Sequence, residues 1–372
     1  MSIVFDKASK VFPDGTTAVD QLSLEVPNGR FTVFVGSSGS GKTTALRMIN
    51  RMIEPTSGTI TVNGVDVARV DPVKLRLGIG YVLQSPGLMP HQRVIDNVAT
   101  VPVLKGQSRR SARNAAYEVL ERVGLDTKLG NRYPAQLSGG EQQRVGVARA
   151  LAADPPILLM DEPFSAVDPV VRFELQNEML RLQSELHKTI VFVTHDINEA
   201  LTLADQVAVF GRGGVLQQYD QPVRLLSRPA NDFVAKFIGR GRGYRWLQLI
   251  DAADLQLHDV QRVSASGLAT GANGESPQLS RQWALVVDDQ GAPLGWIDAD
   301  GLRRLRGGAA LADSMSGVGS LLRPGGSLGH ALDAALSSPS AVGVAVDSGG
   351  RVLGGVLAAD VLAAAEAYRR RG

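Results

Sequence analysis

Residues Gly36 to Thr43 read Gly-Ser-Ser-Gly-Ser-Gly-Lys-Thr. Glycines at this spacing let the backbone curl so that successive N–H groups point inward and hold phosphate oxygens, with help from the N-terminus of the helix that follows. Lys42 is placed to reach β- and γ-phosphates, and the Thr43 hydroxyl to ligate Mg²⁺. Farther along, Asp161 and Glu162 form an adjacent carboxylate pair. Asp161 suits the same cation, directly or through water, and Glu162 suits a general base that polarises an attacking water. Gln84 can contact the cation and that water, or be an exposed loop residue. His195 is placed for a γ-phosphate contact. The chemistry these types support together is phosphoryl transfer to water.

Each of these residues must be delivered by an element. Arg30-Phe31-Thr32-Val33-Phe34-Val35 reads as a buried parallel strand into the glycine loop, and Thr44 to Asn50 as a helix out of it. Ile79 to Gln84 reads as a strand ending on its glutamine and broken by Ser85-Pro86-Gly87. Ile157 to Met160 is a buried strand with the two carboxylates at its carboxyl end, and Thr189 to Thr194 a strand that delivers His195. Leu137-Ser138-Gly139-Gly140-Glu141 opens a further helix and reads as a second glycine nest. One nucleotide rarely needs two, so this one serves a nucleotide held by another copy. Asp168 caps a helix that opens at Pro169 and ends near His187. Residues 94–123 read as mostly helical, with an amphipathic stretch from Ser108 to Val123. Gly58 to Gly64 reads as a strand ending in an Asn-Gly turn. Phe12, just before the Pro13-Asp14-Gly15 turn, either stacks on a purine or belongs to the core.

The length of 372 residues allows two or three domains. A net charge of +2 gives no reason to propose nucleic-acid binding, and the absence of cysteine excludes disulfides and thiol chemistry. The N-terminus lacks the features of a signal peptide, and no apolar run approaches the roughly 20 residues that span a bilayer. The expectation is a cytoplasmic protein that meets a membrane only through a partner.

In this order and spacing, the glycine loop, Gln84, Leu137 to Glu141, Asp161-Glu162, Asp168 and His195 resemble the nucleotide-binding subunit of an ATP-binding cassette (ABC) transporter over residues 1–240. The resemblance implies an α/β P-loop NTPase cassette, a mixed sheet with helices plus a helical subdomain carrying the signature. It implies ATP and Mg²⁺ as ligands. Nucleotide contacts would come from Phe12, from Gly36, Ser37, Ser38, Gly39, Ser40, Gly41, Lys42, Thr43 and Thr44, from Ser138, Gly139, Gly140 and Glu141, and from Asp168. Thr43, Gln84 and Asp161 would hold the metal, and Glu162, His195, Gln84 and Lys42 would serve catalysis. It further implies a head-to-tail homodimer sandwiching two ATPs, an integral-membrane permease and an extracytoplasmic substrate-binding protein. Glu141 stands where the commonest signature has Gln. Met48 to Pro55, Gly87 to His91 and Pro229 to Lys236 resemble importers of quaternary-amine osmoprotectants such as glycine betaine, choline and carnitine.

After the Gly239-Arg240-Gly241-Arg242-Gly243 run, lysine disappears and residues 263–280 become Ser/Gly-rich, which reads as a mobile loop. Ala284 to Ile297 matches Gly343 to Val356 as an internal repeat of strand, Asp/Gly turn, strand and helix. Residues 241–372 resemble a degenerate tandem pair of cystathionine-β-synthase-type (CBS) domains, a smaller α+β unit. Nucleotide-binding repeats of that kind place a hydroxyl residue shortly before an aspartate. This chain has Asp300 and Asp360 without the hydroxyl, so a plain dimerisation module and a ligand sensor both stay open. Tyr368 to Arg371 reads as a solvated tail. The rival reading of the whole, a soluble non-transport ABC ATPase acting on nucleic acid or ribosomes, lacks the second cassette, coiled coil or basic patch that such proteins carry.

Overall fold

A computed structural model describes residues 1–165, 167–270, 279 and 282–371. The chain divides into two units, Met1–Gly239 and Arg240–Gly372.

Alternating burial along β1 (Ile3–Val11) and β2 (Thr17–Val26) produces an antiparallel hairpin with one face inward. β3 (Phe31–Gly36) is buried along its whole length, as a parallel strand covered on both faces must be. It runs through the glycine loop into α1 (Lys42–Ile49). β4 (Ser57–Val62) and β5 (Val65–Asp66) flank Asn63-Gly64, whose φ angles of 52° and 77° make the two-residue turn that matches hairpin twist. After α2 (Pro72–Leu77) comes β6 (Ile79–Val82). α3 (Val94–Leu104), α4 (Arg109–Arg122) and α5 (Gly139–Leu151) pack on one another as a separate helical group. β7 (Ile157–Asp161), α6 (Pro169–Leu186), β8 (Thr189–Thr194), α7 (Ile197–Leu203), β9 (Gln206–Phe210) and β10 (Leu216–Asp220) complete the strands, and α8 (Pro222–Ser227) and α9 (Asp232–Ile238) end the unit.

Two sheets result, one antiparallel with order β2-β1-β4-β5 and one with order β10-β9-β3-β8-β7-β6. In the second, every pair but β10–β9 is parallel. Its register pairs Val35 with Thr194, Val193 with Asp161 and Met160 with Val82. The carboxyl ends of β3, β8, β7 and β6 therefore lie level along one edge, the edge where α/β sheets bind ligands. The core joins inward residues of both sheets to the buried face of α1 (Ala45, Leu46, Met48 and Ile49), and the rings of Phe5, Phe34 and Phe210 meet within it.

The second unit contains two copies of one arrangement. α10 (Arg242–Gln248) precedes β11 (Arg262–Ser264) and α11 (Ala265–Thr270). β11 pairs parallel with β12 (Trp283–Val287), which forms a hairpin with β13 (Pro293–Asp298), followed by α12 (Ala299–Arg306) and α13 (Leu311–Ser314). In the second copy β14 (Leu321–Leu322), α14 (Leu328–Ser337), β15 (Val342–Val346), β16 (Val352–Leu357) and α15 (Ala358–Arg371) repeat the same pairings. Both hairpin turns close on an aspartate: the Asp288 carboxylate accepts from the Ala292 N–H at 2.8 Å, and that of Asp347 from the Arg351 N–H at 2.8 Å. The copies share one core, with Leu285 and Trp296 against Val344, Val346 and Val352.

Three expectations need correction. β6 ends at Val82, so Gln84 stands two residues beyond the strand in an exposed bend. Within the stretch expected to be a mobile loop, β11 is paired with β12, which satisfies its backbone groups, and α11 is a helix. Residues 271–278 and 280 of that stretch lie outside the described residues, as does Ala166 in the segment before Asp168. The C-terminal segment is the end of α15: Tyr368 meets the Trp246 ring edge-on at 5.9 Å, and the Arg369 guanidinium lies 4.9 Å from its centroid. Cation–π contact and ring packing hold this segment as helix, while Tyr368, Arg369 and Arg370 stay exposed to solvent as expected. Among the described residues no helix is long and apolar enough to cross a membrane.

Candidate active site

The glycine loop owes its path to two left-handed glycines and one close approach. Gly39 and Gly41 have φ of +75° and +84°, a conformation costly for L side chains. A Cβ on Gly41 would lie 1.9 Å from the carbonyl oxygen of Ala18, so the start of β2 seats the loop. Ser37 and Ser38 are exposed and Ser40 is buried. Lys42 opens α1, and its buried ammonium donates to the carbonyls of Gly36 (2.9 Å) and Ser37 (2.8 Å) and to Ser40 Oγ (3.3 Å). Burial lowers its pKa, while the carboxylates of Glu162 and Asp161 pull the other way.

One residue on, the Thr43 hydroxyl donates to Asp161 Oδ1 at 2.7 Å. The other carboxylate oxygen, Oδ2, accepts from Arg47 Nη2 at 3.3 Å and from the Tyr81 hydroxyl at 3.4 Å. Burial pushes the Tyr81 phenol up, which keeps it a donor. Sequence reading missed Arg47 and Tyr81. Arg47 was within reach, since it lies one helical turn after Thr43 on the same face.

Glu162 follows at the strand end with φ +45°. A non-glycine residue there is strained, and such strain persists only where surrounding contacts enforce it. Here the Glu162 N–H donates to the Val193 carbonyl at 3.0 Å, and its own carbonyl accepts from Ser165 Oγ at 3.0 Å. The side chain is thereby turned to place Oε2 3.2 Å from His195 Nδ1. Below His195, the Thr194 hydroxyl donates to buried Glu199, and Arg172 lies 3.8 Å from both Glu199 and Asp196. Thr44 continues α1, partly buried.

The structure thus brings Lys42, Thr43, Asp161, Glu162 and His195 together at one sheet edge. The others stand apart. Phe12 lies at the β1–β2 turn, where Lys10 Nζ sits 5.5 Å from its ring centroid. Asp168 precedes α6, and its carbonyl accepts from the Arg172 N–H. Gly139 and Gly140 do not form a second nest, because neither has positive φ. They are the first residues of α5, whose end is closed by a reciprocal cap. The Ser138 N–H and hydroxyl both donate to Glu141 Oε2, at 2.7 and 2.9 Å, and Ser138 Oγ accepts from the Glu141 N–H at 3.3 Å. Glycine at 140 is needed for close packing: a Cβ there would meet Val171 Cγ1 at 2.7 Å.

A nucleotide and a divalent cation fit these residues. The loop has the curled glycines that suit phosphate oxygens, and a hydroxyl beside a carboxylate is the hard oxygen donor set that magnesium takes.

Comparison with known proteins points the same way. The family model described as "ABC transporter" matches residues 19–165. The osmoprotectant import ATP-binding protein OsmV of Salmonella typhimurium is 45% identical, covering 75% of this chain and 74% of the relative. The glycine betaine uptake system ATP-binding protein YehX of Escherichia coli is 50% identical, covering 79% and 97%. The glycine betaine/carnitine/choline transport ATP-binding protein OpuCA of Bacillus subtilis is 42% identical, covering 79% and 78%. Among solved structures, the dimeric MJ0796, a bacterial ABC transporter cassette, superposes with a TM-score of 0.55 at 32% identity, covering 59% of this chain and 98% of that one. With both the site geometry and relatives over most of its length in agreement, the chain belongs to the ABC transporter family, among its ATP-binding proteins.

Proposed function

We propose that this chain is the ATP-hydrolysing subunit of an importer for quaternary-amine osmoprotectants such as glycine betaine, choline or carnitine. The observation that carries the ATPase reading is the junction of Thr43, Asp161, Glu162 and His195 beside the glycine loop. The substrate class rests on relatives named for it.

ATP is the substrate. Residues Gly36 to Thr44 hold its phosphates, and Thr43, Asp161 and Gln84 would hold Mg²⁺, which when bound neutralises charge on the phosphate oxygens. Lys42 exchanges loop carbonyls for phosphate oxygens. Glu162 accepts the proton of the attacking water, and His195 orients that carboxylate through the 3.2 Å contact. Two subunits pack head to tail, so that Ser138 to Glu141 and Asp168 of one close over the nucleotide on the loop of the other, with Phe12 against the base. The dimer attaches to a membrane-spanning permease at the cytoplasmic face of the cell (inner) membrane, close to the segment after Gln84, and an extracytoplasmic binding protein delivers the solute. The C-terminal unit, read as a degenerate CBS-domain pair, regulates or dimerises the cassette.

The test is uptake of radiolabelled glycine betaine, choline and carnitine by cells carrying this protein and its genomically adjacent permease, beside purified ATPase activity. Uptake should depend on Lys42, disappearing in Lys42→Ala. Glu162→Gln should bind ATP and lose hydrolysis by ~10²-fold or more. Absence of uptake of all three with ATPase intact would remove the substrate assignment. Full hydrolysis in Glu162→Gln would remove the catalytic one.

A further inference from the structure

Arg149 lies in the last turn of α5, the helix that opens at Ser138. Its guanidinium is spent on backbone: Nη1 donates to the Gly87 carbonyl at 2.7 Å and Nη2 to the Pro86 carbonyl at 2.6 Å. Among the described residues no carboxylate comes within ion-pair range of it. Burial alone draws its pKa down, although a guanidinium keeps its charge throughout. A half-buried arginine used only as a fork for two consecutive carbonyls is placed to fix backbone geometry rather than to balance charge.

What it fixes is the segment carrying Gln84. That glutamine is exposed and lies beyond the end of β6, so no ladder hydrogen bond sets its position. Pro86 also lies against Gly146 of the same helix, where a Cβ would stand 3.7 Å away. Downstream, the buried Asn97 side chain accepts from the Met89 N–H at 2.7 Å and donates to the carbonyls of Met89, Gln92 and Arg93. The stretch from Pro86 to Arg93 is thus clamped to the helical group at both ends, and the Arg149 clamp lies two residues from Gln84.

We propose that Arg149 is a positioning residue for Gln84, tying the backbone of the glutamine's segment to the helix whose N-terminus carries Ser138 to Glu141. The proposal rests on the reading of Gln84 as a contact for the cation and the attacking water.

The experiment is a double-mutant cycle on the purified full-length protein with Mg-ATP: wild type, Arg149→Met, Gln84→Ala and the double variant, with kcat, KM and melting temperature for each. Arg149→Met should lower kcat by ~10- to ~100-fold, the scale of loss expected from a misplaced catalytic group, with KM within about twofold. In the Gln84→Ala background the same change should cost nothing further, because both act on one contact. Arg149→Lys keeps the charge but cannot fork onto two carbonyls, and should recover only part of kcat. If Arg149→Met does not fold, Arg149→Lys takes its place in the cycle with the same expectation of non-additivity. A lowered melting temperature with unchanged kcat overturns the proposal. So does an equal proportional loss of kcat in both backgrounds when Gln84→Ala is itself impaired, and that outcome leaves the reading of Gln84 standing. Full kcat in Gln84→Ala overturns the reading of Gln84, and the proposal with it.

Discussion

At the scale of single residues, the site is a chain of enforced positions running from the glycine loop to His195. Glu162 occupies a left-handed backbone conformation because the Val193 carbonyl and Ser165 hold its peptide groups. His195 is held from beneath, where the Thr194 hydroxyl donates to Glu199. Burial raises the pKa of Glu199 above its ordinary 4.5, outweighing the Thr194 hydrogen bond and the nearby Arg172. For an acid whose folded value is raised, the stability it contributes is fully present below the unfolded value and is lost as pH rises through the folded one. At neutral pH the buried charge is therefore a cost. Glu199→Gln should leave folding at neutral pH unchanged or firmer and flatten the decline in stability above pH 4.5 that wild type shows. Urea unfolding of both proteins across that range would measure it. A variant that loses stability equally at every pH would mean that the carboxylate is needed as an acceptor, not tolerated as a charge.

At the scale of elements, the informative one is α5. Its N-terminal cap uses Glu141 as the reciprocal partner of Ser138, so the departure from the commonest signature is structurally ordinary, glutamine serving that position equally well. Glu141→Gln should keep the melting temperature within about 2 °C, a capping change of a few tenths of a kcal/mol, and ATPase activity within about twofold. A large change in activity alone, followed by phosphate release, would show that the carboxylate acts on the nucleotide rather than on the helix. The strands of the site were legible in the sequence because each is a mainly apolar run leading into a site residue or the glycine loop, and the parallel sheet brings such ends to one edge. What escaped were groups whose partners come from distant elements. Tyr81 reaches Asp161 only because β6 pairs with β7. Arg149 finds Pro86 and Gly87 only because α5 packs beside their loop. The supposed nest at Gly139-Gly140 failed for the complementary reason. Glycine there serves close approach to Val171, and composition cannot separate that need from a positive φ.

At the scale of the whole molecule, the repeat of Ala284 to Ile297 in Gly343 to Val356 was visible, but the short strands β11 and β14 that complete each copy were not. Three and two residues long, they carry no period to detect. With them the C-terminal unit has its own sheets and a core of Leu285, Trp296, Val344 and Val352 shared between the copies. The two aspartates that a nucleotide-binding repeat would use are engaged within the unit, Asp360 with His258 Nε2 at 2.7 Å and Asp300 with Arg303. The Asp300–Arg303 ion pair lies at an exposed position, the kind that salt screens. Because residues 1–239 hold a complete sheet, site and core of their own, a chain ending at Gly239 should fold and hydrolyse ATP within about twofold of the full protein. In cells with the permease, if the C-terminal unit is regulatory, uptake by the full protein should rise with external osmolarity and uptake by the shortened chain should not. Uptake by the shortened chain that still rises would make the unit a dimerisation module, and loss of ATPase activity on truncation would show that the cassette depends on it for its fold.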